Sequence, residues 1–168
     1  MVKKGTIHGT LLWMMNRGIL LLGESGSGKS SLALSLLHEG ARFVADDLVE
    51  LNGIRGAVRG KSPRKICGIM EVKGVGLIDI SMAFGPSFII DEATIDLIVR
   101  LDKTTADSDP HPPQLAMRIE HENILGYDIP TIVMGSRIDK NVFLCAVNYF
   151  IAGEWKQSRV NELIGSGE

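Results

Sequence analysis

One octapeptide near the start of the chain has the residue types and the spacing of a phosphate-binding loop. Its pattern is G-x-x-x-x-G-K-S, and its residues are Gly23, Glu24, Ser25, Gly26, Ser27, Gly28, Lys29 and Ser30. Glycines let successive backbone N–H groups turn inward around phosphate oxygens, and a following helix presents its positive end to the same anion. The lysine is expected to reach the terminal phosphates of a nucleotide, and the serine hydroxyl to coordinate Mg²⁺. The alternative is a Gly/Ser-rich turn before a helix.

The segments on both sides of this loop are those that the motif requires. Apolar residues 6–15, turn residues 16–18 and the apolar run 19–22 predict a hairpin whose second strand leads into the loop. After the loop, apolar residues with helical spacing predict a helix that Gly40 ends. These apolar residues are Leu32, Ala33, Leu36 and Leu37. Residues 42–45 then predict a further strand, so the segment begins an α/β fold.

Two adjacent carboxylates, Asp46 and Asp47, follow the strand at 42–45. Parallel strands of such a unit end on the same edge of the sheet, so the pair is expected beside the phosphate-binding loop. Because adjacent residues point to opposite faces, only one of the two is expected to face a transferred phosphoryl group. That carboxylate would orient a nucleophilic hydroxyl and accept its proton. The alternatives are support of a Mg²⁺ site without direct ligation, or a solvated strand end.

A second acidic pair and a histidine each allow a functional and a structural interpretation. Asp91 and Glu92 follow an apolar run, as in the second nucleotide-binding motif of an ATPase, or they are structural. If the predicted hairpin turns at residues 16–17, paired residue numbers sum to about 33, which places His8 opposite Ser25. His8 then binds phosphate or pairs with an aspartate, or it is structural. The sequence has no Asn-Lys-x-Asp motif for reading guanine.

Weaker patterns cover the rest of the chain. They predict loop or irregular strand at 52–68, extended segments at 71–80, 87–90 and 96–101, a loop at 102–113, a strand running into a helix at 141–155, and a terminal helix at 157–164. No repeat or low-complexity linker divides the sequence, which predicts one domain over residues 1–168.

Composition excludes several classes of protein. The 18 basic and 20 acidic residues give a net charge of −2, which does not favour nucleic-acid binding. No apolar run approaches the ~20 residues of a membrane helix. Cys67 and Cys145 have no Cys or His at metal-ligand spacing, which favours reduced thiols in the cytoplasm.

Four segments together resemble the catalytic domain of bacterial HPr kinase/phosphorylase. They are Ile7-His8-Gly9-Thr10, the phosphate-binding loop, Phe43-Val44-Ala45-Asp46-Asp47, and Met70-Glu71-Val72-Lys73-Gly74-Val75-Gly76-Leu77-Ile78-Asp79-Ile80. The resemblance implies a P-loop kinase domain with a mixed central sheet and flanking helices, assembled as a homohexamer. It also implies use of ATP and Mg²⁺ to phosphorylate a serine of the small phosphocarrier HPr. The reverse reaction uses inorganic phosphate as nucleophile and releases pyrophosphate.

The same resemblance assigns roles to individual residues. His8, Lys29 and Asp47 match catalytic positions, and Asp46 is the neighbour of Asp47 in the same pair. The loop from Gly23 to Ser30 matches the ATP cradle, and Ser30 and Glu71 match the Mg²⁺ ligands. The resemblance favours the structural interpretation of Asp91 and Glu92.

Two departures from the family pattern affect these expectations. Arg137-Ile138-Asp139-Lys140-Asn141 stands where the family has Arg-Pro-Gly-Arg-Asn, a loop that is important for the reverse reaction. Lys140 keeps the charge of the second arginine but loses its bidentate fork, so weak reverse activity is expected, unless Arg137 supplies the fork. Full-length members also carry an N-terminal domain, which makes this chain either a short form or an excised domain. The rival hypotheses are a small-molecule kinase and a nucleotide-switched module that transfers nothing.

Overall fold

The computed structural model of the chain describes residues 3–102 and 117–153. Its strands are β1 (Lys3–His8), β2 (Thr10–Met14), β3 (Arg17–Gly23), β4 (Arg42–Ala45), β5 (Leu48–Ile54), β6 (Ala57–Lys61), β7 (Ile69–Val72), β8 (Gly76–Asp79), β9 (Glu92–Asp102), β10 (Arg118–Ile124) and β11 (Tyr127–Gly135). Its α-helices are α1 (Lys29–His38), α2 (Ile80–Phe84) and α3 (Lys140–Ile151), and short 3-10 helices lie at Arg64–Ile66 and Pro86–Phe88.

A mixed sheet is the frame of the first of two compact units, Met1–Ile138. Its strand order is β1-β5-β6-β9-β3-β2-β4. Outside this order, β11 pairs with β9, and β10 pairs with β11. Strand β9 runs parallel to β3 and β11, and antiparallel to β6. The central strand β3 is a buried apolar run, and β9 has a shorter one at residues 97–99, as is typical of strands covered on both faces. The predicted α/β class with a mixed sheet is therefore confirmed.

The predicted hairpin exists as β2 and β3, but its register and its first arm differ from the prediction. Met15 and Asn16 both have positive φ, 52° and 58°, and form a two-residue turn. Thr10 therefore pairs with Leu21, so paired numbers sum to 31 and not 33. The arm predicted at 6–15 is two strands, because β1 ends at His8 and pairs with β5. The prediction that places His8 opposite Ser25 is wrong.

The edge that carries the two aspartates lies where the sequence predicts it. Strands β3 and β4 both run antiparallel to β2, which lies between them, so they are parallel to each other and end on the same edge. Helix α1 connects them and buries the four predicted apolar residues. It ends at His38, and Gly40 follows with a positive φ of 88°; Gly40 N–H donates to Leu37 O and Ala41 N–H to Leu36 O, each at 3.0 Å.

Some of the secondary-structure predictions for the rest of the chain are confirmed and others are wrong. Strands at 71–80 and 96–101 are confirmed, the former as a β7–β8 hairpin. The loop or irregular strand predicted at 52–68 is wrong for residues 52–61, where β5 and β6 form a regular hairpin, whereas residues 62–68 contain no strand and one short 3-10 helix. At 87–90 the chain forms a 3-10 helix and one bridge, and at 141–155 the described part is helical without a strand. Except for Asp102, the segments at 102–113 and 157–164 lie outside the described residues.

The second compact unit is Asp139–Glu168, of which residues 139–153 are described. Its helix α3 begins after Asp139, whose Oδ1 accepts a hydrogen bond of 2.8 Å from Asn141 N–H. Phe143 and Val147 are the buried residues of α3. The single domain over 1–168 stays a prediction. In the parts of the chain that the structure describes, no helix is long and apolar enough to span a membrane.

Gly18 tests the pairing of β3 with β9. A Cβ at Gly18 would lie 1.8 Å from the carbonyl oxygen of Thr94, whereas a Cβ at Gly5 would meet only the flexible end of Leu125 at 3.2 Å. We expect Gly18→Ala to lower the free energy of unfolding by about 2–3 kcal/mol or more, because the central strands must separate. Gly5→Ala, the matched control, should change it by less than about 1 kcal/mol. Equal denaturation midpoints for the two variants would contradict this strand pairing.

Candidate active site

The phosphate-binding loop connects the last residue of β3, Gly23, to the first residue of α1, Lys29. Gly23, Gly26 and Gly28 have φ values of 149°, 77° and 97°, a backbone conformation that other residues rarely adopt. A Cβ at Gly23 would lie 2.7 Å from both the Leu101 carbonyl oxygen and Ser27 Oγ. The curvature of the loop therefore depends on glycine.

The N-terminus of α1 is suited to an anion. Its N-cap residue, Gly28, provides no side-chain cap, and the first turn contains no acidic residue. Backbone N–H groups at such a terminus are available to a bound phosphate, and the helix dipole favours negative charge there. The Ser27 hydroxyl is also buried and has no hydrogen-bond partner within the described residues.

Lys29 places a positive charge inside the loop. Its side chain is buried, and Nζ donates to the carbonyl oxygens of Gly23 at 2.7 Å and Glu24 at 3.0 Å. The ammonium group is thus held among the same residues whose amides would surround a phosphate. This arrangement fits a nucleotide triphosphate, as the motif predicts.

Asp46 is a buried carboxylate, only 5% exposed, at the end of β4. Its Oδ1 accepts a hydrogen bond of 2.6 Å from the buried hydroxyl of Thr10, and Ser30 Oγ lies 3.5 Å from the same oxygen. Its Oδ2 faces the backbone N–H of Glu71 at 3.4 Å. Asp46 thus contacts both residues that the sequence predicts as Mg²⁺ ligands. The short bond is the one to Thr10, and the other two contacts are long.

Asp47 has the opposite environment, with a side chain 74% exposed. Nδ1 of His8 lies 3.1 Å from its Oδ1, a distance at which a proton on Nδ1 is donated to the carboxylate. Because β1 pairs with β5, His8 lies opposite Leu48, one residue beyond Asp47. Of the two roles that the sequence left open for His8, the structure shows the pairing with an aspartate.

The backbone at Asp47 is strained. Its φ is 67°, and the N–H of Leu48 donates to the carbonyl oxygen of Asp46 at 2.8 Å, which makes Asp47 the centre of a three-residue turn. Turns of this type with positive φ are rare, and such conformations cost on the order of 1–3 kcal/mol. The N–H of Gly9 donates a hydrogen bond of 3.2 Å to the Asp47 carbonyl oxygen. Strain that neighbouring strands maintain motivates a functional hypothesis for Asp47.

The residues present fit a Mg²⁺ ion. Oxygen ligands such as the Ser30 hydroxyl and the Glu71 carboxylate are those that Mg²⁺ prefers, usually one or two from the protein with the rest from phosphates and water. The described ranges contain no group of three or more His, Cys, Asp or Glu side chains that could hold a metal ion.

The two basic residues predicted for the reverse reaction fall in different units. Arg137 belongs to the first unit, and its backbone N–H donates to the Ser27 carbonyl oxygen at 2.9 Å. A Cβ at Gly28 would lie 3.4 Å from Arg137 Cα, so Arg137 lies against the phosphate-binding loop. Lys140 is the first residue of α3 in the second unit, and its place at the site stays a prediction.

The first unit therefore brings together most of the predicted site residues. They are the loop Gly23 to Ser30 with Lys29, the aspartates Asp46 and Asp47, and His8, Glu71 and Arg137. Sequence reasoning gave no role to Thr10 or to the backbone of Gly9, because only the pairing of β2 with β4 brings them to the aspartates. Asp91 and Glu92 do not end a strand, since β9 begins at Glu92, and the ATPase-type interpretation of this pair is wrong.

The fold and the loop define a P-loop protein of the α/β class, and comparisons identify its family. The model of the HPr Serine kinase C-terminal domain matches residues 1–154. The HPr kinase/phosphorylase of Clostridium beijerinckii is 36% identical over 147 residues, which are 85% of this chain and 48% of that protein. The protein of the same name from Clostridium acetobutylicum is 37% identical, with the same coverage.

A solved structure agrees with the sequence comparisons. The Hpr(Ser) kinase/phosphatase from Coxiella burnetii superposes with a TM-score of 0.75 at 27% identity, covering 91% of this chain and 98% of that one. The chain belongs to the HPr serine kinase C-terminal domain family. It spans about half the length of the curated relatives that it matches.

Substitution of Lys29 tests whether the phosphate-binding loop binds the phosphates of ATP. We expect Lys29→Ala to weaken ATP binding by roughly tenfold to a hundredfold, because a hydrogen bond from a charged group contributes about 1.5–3 kcal/mol. Lys4→Ala, which removes an exposed lysine of β1, is the matched control for the loss of one charge. Calorimetric titration of each variant with ATP makes the comparison. Parent-like affinity in Lys29→Ala, or an equal loss in Lys4→Ala, would show that ATP does not bind in this loop.

Proposed function

We propose that this chain is an ATP- and Mg²⁺-dependent protein serine kinase that acts on HPr or a similar phosphocarrier. We also propose that it dephosphorylates the phosphorylated carrier more slowly than it phosphorylates it, using inorganic phosphate and releasing pyrophosphate. The proposed assembly is a cytoplasmic homohexamer. The curated relatives are named as HPr kinase/phosphorylases, and the solved relative as a kinase/phosphatase of Hpr(Ser). These names support the substrate, which the described residues do not specify.

The observation that carries the proposal is the contrast between two adjacent carboxylates beside one phosphate-binding loop. Asp46 is buried and bonded to Thr10, and it faces Ser30. Asp47 is exposed and contacts only His8 among the ion pairs of the described residues. A kinase needs both environments, one to support the nucleotide and its cation and the other to receive an incoming hydroxyl.

In the forward reaction, Asp47 accepts the hydrogen bond of the substrate serine and takes its proton as the new O–P bond forms and the bond to ADP breaks. His8 donates from Nδ1 to Asp47 and keeps the carboxylate oriented while the serine approaches. Lys29 and the loop amides neutralise the phosphate oxygens. The cation, when bound, would neutralise further phosphate charge, with Ser30 and Glu71 as its protein ligands.

In the reverse reaction, an oxygen of inorganic phosphate attacks the phosphorus of the phosphoserine. The bond to the serine oxygen breaks, pyrophosphate forms, and protonated Asp47 returns its proton to the serine. Inorganic phosphate has to be held as the nucleophile, and Lys140 stands at the matching position of the family loop. Arg137, which lies against the phosphate-binding loop, is the alternative.

Exposed apolar side chains beside the site favour a protein substrate over a small metabolite. Leu77 of β8 pairs directly with Glu71 of β7 and is 76% exposed. Val75 and Met82, in the same segment, are also exposed. Large apolar side chains exposed within one short segment suit contact with another protein.

The test is incubation with ATP, Mg²⁺ and an HPr-type protein, followed by mass spectrometry of the carrier. We expect one phosphate on a serine, and its removal on addition of inorganic phosphate. Phosphate on a metabolite but not on the carrier would identify a small-molecule kinase. ATP binding without any transfer would identify a regulatory module. Either result would contradict the proposal.

Asp47→Asn should lose catalysis and keep ATP affinity. The amide retains the size of the carboxylate but cannot accept the serine proton, and such proton transfer contributes on the order of 10²–10⁴ in rate. Asp128→Asn, which neutralises an exposed aspartate of β11, is the control for the change in charge. The measurements are single-turnover phosphorylation and calorimetric ATP affinity. Loss of ATP affinity along with activity would contradict the assignment of Asp47 as the base.

Lys140→Arg should raise the rate of pyrophosphate release from the phosphorylated carrier and leave the kinase rate unchanged. An arginine holds phosphate through two parallel N–H bonds, whereas an ammonium group acts as a point charge. Arg137→Ala is the companion variant. If release is fast in the parent, lost in Arg137→Ala and unchanged in Lys140→Arg, then Arg137 supplies the fork and the role assigned to Lys140 is wrong.

A further inference from the structure

We infer that Thr10 is a positioning residue for the Mg²⁺ ligands: its buried hydroxyl fixes the Asp46 carboxylate, which in turn orients Ser30 and the Glu71 strand. This inference rests on the proposed function and deepens it. Thr10 lies in one of the segments that carry the family resemblance, but neither that resemblance nor the loop motif assigns it a role.

The contacts of Thr10 are short and enclosed. Thr10 and Asp46 are 0% and 5% exposed, and Thr10 Oγ1 donates to Asp46 Oδ1 at 2.6 Å. Pairing of Leu11 with Ala45 in β2 and β4 places Thr10 opposite Asp46 when continued by one step. The bond thus forms between two neighbouring strands of the sheet, which hold both residues in place.

Geometry assigns the proton of Thr10 to Asp46. A hydroxyl has one proton, and a carboxylate can only accept, so the short bond fixes Oδ1 and with it the plane of the carboxylate. That plane places Oδ1 at 3.5 Å from Ser30 Oγ and Oδ2 at 3.4 Å from the Glu71 N–H. A Ser30 proton directed at Oδ1 leaves the lone pairs of Ser30 for a cation.

Without the Thr10 hydroxyl, the two remaining contacts of Asp46 are long ones. The carboxylate is then free to rotate away from Ser30 and from β7, although its burial changes little. Partners that orient metal ligands typically contribute about 10–100-fold to metal affinity. The effect of Thr10 should therefore appear in the cation dependence of nucleotide binding, and a role in packing alone would not affect that property.

The test compares ATP affinity with and without Mg²⁺ by calorimetry, in the parent chain and in variants. Thr10→Val, which replaces the hydroxyl by a methyl group of similar size, should reduce the gain in affinity from Mg²⁺ by roughly tenfold. Thr10→Ser, which keeps the hydroxyl, should restore the gain. Thr131→Val is the matched control, since Thr131 is also fully buried and its hydroxyl donates to the Ile129 carbonyl oxygen at 3.2 Å in β11.

Two outcomes would overturn the inference: a parent-like gain from Mg²⁺ in Thr10→Val, or an equal reduction in Thr131→Val. If Thr10→Val does not fold, Thr10→Cys, a weaker donor of similar size, serves in its place and should give an intermediate gain. A parent chain whose ATP affinity does not respond to Mg²⁺ would instead contradict the proposed function itself.

Discussion

A buried carboxylate needs hydrogen-bond partners, and the arrangement of this site follows from how Asp46 obtains them. Its partners come from three separate segments: Thr10 from β2, Ser30 from the start of α1, and the Glu71 backbone from β7. The phosphate-binding loop is thereby connected to the sheet and to the β7–β8 hairpin through one side chain. Because the desolvation of an unpaired carboxylate is costly, these segments hold their relative positions best when all three contacts are present.

The next residue, Asp47, has a different environment because the backbone turns sharply there. The strained turn at Asp47 turns its side chain out to solvent, where it meets His8 at the end of β1. Asp46 thus faces Ser30 at the start of α1, whereas Asp47 faces solvent beside His8. The strain is maintained by the pairing of β1 with β5 and by the Gly9 N–H, so the different environments of the two aspartates depend on these neighbouring segments.

The sequence predicts the loop, the helix and the edge position of the aspartates because these depend on local patterns and on the handedness of one strand–helix–strand unit. The position of His8 depends on the pairing of β1 with β5, which no local pattern reveals. The register of the β2–β3 hairpin differs from the prediction because its turn consists of Met15 and Asn16. The β5–β6 hairpin was missed because Gly53 and Gly60 occupy buried positions where alternation would show apolar residues. At Gly60 a Cβ would lie 2.6 Å from the Leu11 side chain, so close packing requires glycine at a position where alternation would predict an apolar residue.

The division of roles between Asp46 and Asp47 can be measured with Mn²⁺ in place of Mg²⁺. Electron paramagnetic resonance in the presence of ATP reports the binding of Mn²⁺ to the protein–nucleotide complex, independently of any carrier protein. Our account predicts that Asp46→Asn weakens Mn²⁺ binding by about tenfold or more, because the support of Ser30 is lost. It predicts that Asp47→Asn binds Mn²⁺ as the parent does. Equal weakening in both variants, or weakening in Asp47→Asn alone, would contradict it.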